Sequence, residues 1–295
     1  MSEFLQLLFQ GVALGSTYAL IALGFVVVYR ASGVINFAQG AMLLAGAYTI
    51  SWLATDLGVA FLPAVLIAVV LLAAAGAAFQ AVVLRRVSGE QPFVLVMMTI
   101  GAGIAVTALI EALFGADPRL LGDPWGASSF HVGAVTISWV KLWSIVVTVA
   151  ALGAYFAFDR YTRWGVAVQA TAEDEEATLS LGVPVRRVHL ITWAMAGALA
   201  TLGGLFLAGF PASPEPGLGD AALRAFPAIV LGGLRSPGGA VVGGLLIGLT
   251  EVMTSGYAPS SLGDNFYAVA PYIAMILILL VRPYGLFGRA PAERL

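Results

Sequence analysis

The chain of 295 residues carries 14 Lys and Arg against 16 Asp and Glu, a formal charge of −2, and is 60% hydrophobic and only 10% charged. At a mean hydropathy of +0.95 it has too little polar surface to cover a soluble body of this size, so lipid must surround it. A charge this close to zero points to no particular charged partner and nucleic acid is not expected; the absence of cysteine excludes disulfides, thiolate catalysis and cysteine metal sites.

An upright helix needs about 20 apolar residues to cross the hydrocarbon layer. The solid apolar blocks of this chain do not resemble the short alternating strands of a membrane barrel. The first block, Phe4 to Tyr29, contains Gln6 and Gln10, lacks a basic stretch before it and shows no small-residue cleavage site after it. It reads as a retained helix, not a signal peptide. Blocks follow at Val34 to Ala54, Val59 to Leu84, Phe93 to Phe114, Ile137 to Phe158 and Val188 to Phe210. The pattern then breaks: Ala225 to Leu234 and Ala240 to Met253 flank "RSPGG", and Phe266 to Val281 closes the series. Ala225 to Leu234 is too short to cross upright, so it is either a short helix buried in protein or half of a re-entrant pair.

Basic residues are retained on the cytoplasmic side. An outer amino terminus puts Arg30, Arg85, Arg86, Arg160, Arg163, Arg186, Arg187, Arg235, Arg282, Arg289 and Arg294 inside, and leaves Arg119 and Arg224 in outer loops with Lys141 near an outer helix end. A cytoplasmic carboxyl terminus then requires an odd number of crossings, about nine with the short block included. The expected architecture is an all-α polytopic membrane protein, one transmembrane domain over residues 1–295. Its longest cytoplasmic loop, residues 160–187, contains "QATAEDEEATLSLGVPVRRVH".

That loop predicts a helix from Ala170 to Leu181, with Thr171 as cap and Glu173 to Glu176 in the first turn, where the helix dipole favours negative charge. Gly182 ends it and Pro184 prevents its immediate resumption. Physics alone leaves two readings open: a solvated loop helix, or a docking element that passes force from a cytoplasmic partner into the membrane.

The chain has no phosphate-binding Walker loop, since its only lysine, Lys141, lies in "ISWVKLWS". Glu111 and Glu251, the acids within apolar blocks, are expected near an outer boundary, which leaves no mid-membrane carboxylate for an ion-coupled transporter. Only His131 and His189 are present, too few and too far apart for a zinc site or a serine triad, so no catalytic residue is expected. The pairs Gly11 and Gly15, Gly239 and Gly243, and Gly244 and Gly248 predict close helix packing. "VINFAQG" and "LGGLRSPGG" interrupt apolar runs, and transporters build substrate paths from such discontinuities. On that basis Ser16, Thr17, Tyr18, Asn36 and Gln39 are expected to face a translocation path.

Five stretches in order, "GVALGSTYALIALGFVVVY", "GVINFAQGAMLLAGAY", "RWGVAVQATAEDEEATLSLGV", "FPAIVLGGLRSPGGAVVGGLLIGLTE" and "RPYGLFGR", resemble the membrane permeases of ATP-binding-cassette importers for branched-chain amino acids. The resemblance spans essentially the full chain. It implies inward transport of hydrophobic amino acids by alternating access in a bacterial inner membrane. The implied partners are a second homologous permease, two ATPases that bind the ATP and Mg, and an extracytoplasmic solute-binding protein, with no cofactor in this chain. It further implies that Glu173, Asp174, Ala177, Leu181 and Gly182 sit in a groove of an ATPase subunit. A related permease for urea, short amides or sugars, or a channel for small neutral solutes, is the alternative.

Overall fold

The computed structural model describes residues 2–87, 91–133, 135–209, 211–259, 261, 263 and 265–288. Phe210, Arg289 and Arg294, named above, lie outside them, as do Ser260, Leu262 and Asp264. Helix α1 (Ser2–Ser32) is followed by α2 (Gln39–Ser51), whose last turn widens over Trp52–Asp56, then by α3 (Phe61–Val82) and α4 (Pro92–Phe114). After strands β1 (Ser129–Val132) and β2 (Val135–Ser138) come α5 (Trp139–Tyr161), α6 (Arg163–Glu173), α7 (Glu175–Ser180) and α8 (Val185–Leu207). Short α9 (Leu218–Ala221) runs through a tight turn, Ala222–Ala225, into α10 (Phe226–Gly232), and α11 (Pro237–Tyr257) and α12 (Phe266–Val281) complete the order.

Among the described residues six helices, α1, α3, α4, α5, α8 and α11, are long and apolar enough to cross a membrane. The expected count of nine also includes α2, α10 and α12, which are shorter. Helix α1 is apolar around its whole circumference and lies in the middle of the bundle, against α11, α8 and α5; a helix of that composition has no face to give to water. Leu66 and Val70 on α3, Ile104 and Leu113 on α4, Val149 on α5 and Leu280 on α12 are exposed, as expected of helices that border lipid.

The glycine pairs fulfil the packing expectation and divide it between two neighbours. A β-carbon on Gly244 would lie 2.5 Å from the Ala19 nitrogen, one on Gly15 would lie 2.8 Å from the Leu245 α-carbon, and one on Gly248 would enter the Gly15 backbone. Those residues close the α1–α11 contact. Gly239 and Gly243 turn to the other side, toward the Gly232 and Ala228 carbonyls of α10. The short block is thus a protein-buried helix: Pro227, Ala228, Ile229, Leu231 and Gly232 are all buried. Gly233 ends it at φ +97°, a left-handed conformation that favours glycine, and Ser236 caps α11 by accepting from the Gly239 N–H at 3.0 Å.

Between α4 and α5 lies the β1–β2 hairpin, with Ser129 opposite Ser138 and His131 opposite Thr136. Gln6 clamps it to the start of α1, donating to the Thr136 carbonyl and accepting from its N–H, both at 2.8 Å.

Candidate functional site

The acidic stretch forms two helices in place of the single one predicted over Ala170 to Leu181. Thr162 starts α6 by accepting from the Gly165 N–H at 2.9 Å, and α6 runs to Glu173. Thr171 is therefore not a cap. It is buried in the last turn, its hydroxyl donating to the Ala167 carbonyl at 2.8 Å. The chain breaks at Asp174 (φ −155°, ψ 107°), whose Oδ1 accepts from the Ala177 N–H at 3.0 Å. Aspartate satisfies the free amides of a new helix at least as well as threonine does, so the restart falls there. The buried Thr178 donates its hydroxyl to the Asp174 carbonyl at 2.6 Å, and Gly182, at φ +80°, ends α7. Glu173, Ala177, Leu181 and Gly182 are exposed, Leu181 at 82%, and Asp174 is half-buried.

The opposite side of this double helix is anchored in the bundle. Ala167 and Val168 of α6 pack with Ala31 of α1 and Val188 of α8, flanked by Trp164 and Val183. Arg30 at the end of α1 pairs with Asp159 at the end of α5 at 3.0 Å, both side chains mostly buried. Gln169 of α6 donates to the Asp159 carbonyl at 2.8 Å and to its Oδ2 at 3.1 Å. The Nε2 of His189 lies 3.2 Å from the Ala31 carbonyl. Three membrane helices and α6 thus share one polar and apolar joint.

The five residues expected on a path are all buried: Asn36 and Gln39 completely, Tyr18, Ser16 and Thr17 nearly so. Asn36 Oδ1 accepts from the Ala38 N–H at 3.0 Å, and its amide donates to Gln39 Oε1 at 3.2 Å. Gln39 in turn donates to the Ala196 carbonyl of α8 at 3.3 Å, and Thr99 of α4 accepts from the Phe37 N–H at 3.2 Å. These bonds satisfy the backbone groups freed where the chain breaks between α1 and α2, a requirement at membrane depth. Ser16 and Thr17 donate to the Val12 and Ala13 carbonyls of their own helix.

Tyr18 has a partner on α11. Its hydroxyl donates to Glu251 Oε2 at 2.7 Å, and Glu251 is only 6% exposed. Tyr18 lies near the midpoint of α1, a helix about 46 Å long at 1.5 Å per residue. Glu251 is therefore enclosed by protein, in the outer half of α11. Arg224, expected in an outer loop, lies 3.9 Å from Glu251 Oε1. Arg224 is brought there because α9 and the turn after it dip back into the bundle: a β-carbon on Gly40 of α2 would enter the Gly219 carbonyl, and Phe226 stacks on Phe37 with centroids 6.3 Å apart.

A family model described as the permease component of branched-chain amino acid transport systems matches residues 7–281. The chain is 34% identical to the high-affinity branched-chain amino acid transport system permease protein LivH of Salmonella typhimurium, over 99% of this chain and 97% of that protein. It is 29% identical to the ribose import permease protein RbsC of Escherichia coli, over 90% of this chain and 80% of that protein. Among solved structures it is similar to PsaBC from Streptococcus pneumoniae in complex with Fab, with a TM-score of 0.54 and 14% identity, over 97% of this chain and 94% of that one; at that identity the likeness concerns the fold alone.

Proposed function

The chain belongs to the permease family of branched-chain amino acid transport systems, and from that premise we propose that it is one of two homologous membrane subunits of an ATP-driven importer that carries branched-chain, hydrophobic amino acids inward by alternating access. It does no covalent chemistry. ATP and Mg are bound by two partner ATPases, and an extracytoplasmic solute-binding protein delivers the cargo. The whole chain, residues 1–295, acts as a single transmembrane domain in a bacterial inner membrane, with the amino terminus outside and the carboxyl terminus in the cytoplasm.

The observation that carries this reading is the two-sided geometry of α6 and α7. Outward, Glu173, Asp174, Ala177, Leu181 and Gly182 present two acids, an apolar knob and a tight turn that an ATPase groove can grip. Inward, α6 is braced against α1, α5 and α8 through Arg30, Asp159 and Gln169. A displacement of the gripped end would pass into the bundle through this joint, in which Ala167, Val168 and Val188 are buried. The bound network of Asn36, Gln39 and Thr99, with Ser16, Thr17 and Tyr18, forms the wall behind the path; Asn36→Leu is expected to impair uptake while the complex still assembles.

Affinity purification of the tagged chain tests the reading. Two ATPases, a second permease and a solute-binding protein should co-purify, and the complex in proteoliposomes should accumulate leucine only with ATP. Leucine movement by this chain alone, without an ATPase, refutes it.

A further inference from the structure

At the depth where α1 is most deeply enclosed, one short segment puts opposite charges on the surface of the chain. Asp220, at the end of α9, and Leu223 and Arg224, in the turn that follows, are all exposed, whereas their neighbours Leu218, Ala222 and Ala225 are buried. Positions three and four apart share one helical face, so an acid, an aliphatic side chain and a base stand side by side.

Contacts on both sides fix the depth of this face. Upstream, Gly219 approaches Gly40 of α2; downstream, Phe226 meets Phe25 of α1 edge-on, with centroids 6.4 Å apart. Arg224 reaches Glu251, which Tyr18 holds. The segment thus lies between the levels of Tyr18 and Phe25 on α1, within the central part of that helix. Charges at such depth face water or a partner, not lipid.

Among the described residues neither charge is fully satisfied. The 3.9 Å separation of Arg224 and Glu251 is too long for a hydrogen bond, and the Arg224 side chain remains 48% exposed. Asp220 has no side-chain hydrogen bond or ion pair among the described residues. Glu251 is held by Tyr18 and is enclosed, so it aims and partly balances the guanidinium without occupying it. The residual fork of donors suits a carboxylate, the arrangement in which arginine binds best.

We propose that this face is the substrate-contacting surface of the translocation path: Arg224 takes the carboxylate of a zwitterionic amino acid, Asp220 its ammonium group, and Leu223 its aliphatic side chain. Both charges of the cargo then meet a counter-charge at mid-membrane, and the pairing stays weak enough for release because both groups remain in contact with water. This rests on the amino-acid permease reading. It adds which residues touch the cargo, and why a zwitterion is accepted.

The test uses the assembled complex of both permeases, both ATPases and the binding protein in proteoliposomes, with leucine as the probe. Arg224→Gln and Asp220→Asn should each lower ATP-dependent leucine uptake by about tenfold or more, with assembly and basal ATP hydrolysis unchanged. The double variant Arg224→Gln with Glu251→Gln separates contact from support. If Arg224 serves only as a partner for Glu251, removing both charges restores uptake, and the proposal is overturned; if it holds the carboxylate, uptake stays low. A diazirine analogue of leucine should label the peptide containing Leu223 in the parent complex and lose that labelling in Arg224→Gln. Normal uptake in both single variants, with a parent complex that moves leucine, overturns this assignment alone. A parent complex that moves no leucine overturns the amino-acid reading beneath it.

Discussion

Asp174→Ala removes the side-chain cap that starts α7. Helix α7 has six residues, too few to persist by itself, since isolated helices need about 12 to 15 residues to approach stability. Its order rests on the Asp174 Oδ1 bond to the Ala177 N–H at 3.0 Å, on Thr178 donating to the Asp174 carbonyl, and on the left-handed Gly182. An N-cap aspartate contributes about 1 kcal/mol relative to alanine, so the ratio of ordered to frayed α7 falls by about fivefold. Hydrogen exchange on the purified complex should show faster exchange at residues 176 to 180, with residues 164 to 171 of α6 unchanged. Leucine uptake per ATP hydrolysed should fall in parallel. Asparagine caps as well as aspartate, so Asp174→Asn should keep the exchange rates of α7 close to the parent. Equally fast exchange in Asp174→Ala and Asp174→Asn would refute the capping account and assign the effect to the charge itself.

The remaining predictions concern the joints of the bundle. Gly248→Val drives side-chain atoms into the Gly15 backbone and should destabilise the protein by about 1–3 kcal/mol or more; Gly101→Ala, which has open space beside it inside α4, should not lower the melting temperature in detergent. Tyr18→Phe strips the hydroxyl donor from buried Glu251 and should lower stability by about 1–3 kcal/mol, while Tyr48→Phe should cost nothing, because the buried Tyr48 hydroxyl has no hydrogen-bond partner among the described residues; denaturant melts compare the two. Asp159→Leu leaves the mostly buried Arg30 unpaired and should destabilise by about 3 kcal/mol or more, with a loss of leucine uptake relative to the ATP consumed.

Membrane residence, the long helices and the glycine contacts were legible in the sequence because they depend on local composition and spacing. A run of apolar residues specifies a crossing whatever its neighbours are, and glycines four apart leave a smooth face on any helix. Asp174 marks the limit of that local reading: Thr171 and Asp174 are both acceptable caps, and the choice fell to Asp174 because Thr171 is buried in α6, which is docked on α1 and α8. Arg224 lies further beyond it. Its place between apolar blocks pointed to an outer loop, whereas the fold of α9 and its following turn carries it back toward Tyr18 and Glu251. The depth of a charge in the membrane is a property of the path the backbone takes through the bundle, so only the tertiary structure could place Asp220, Leu223 and Arg224 on one face at the level of the central helix.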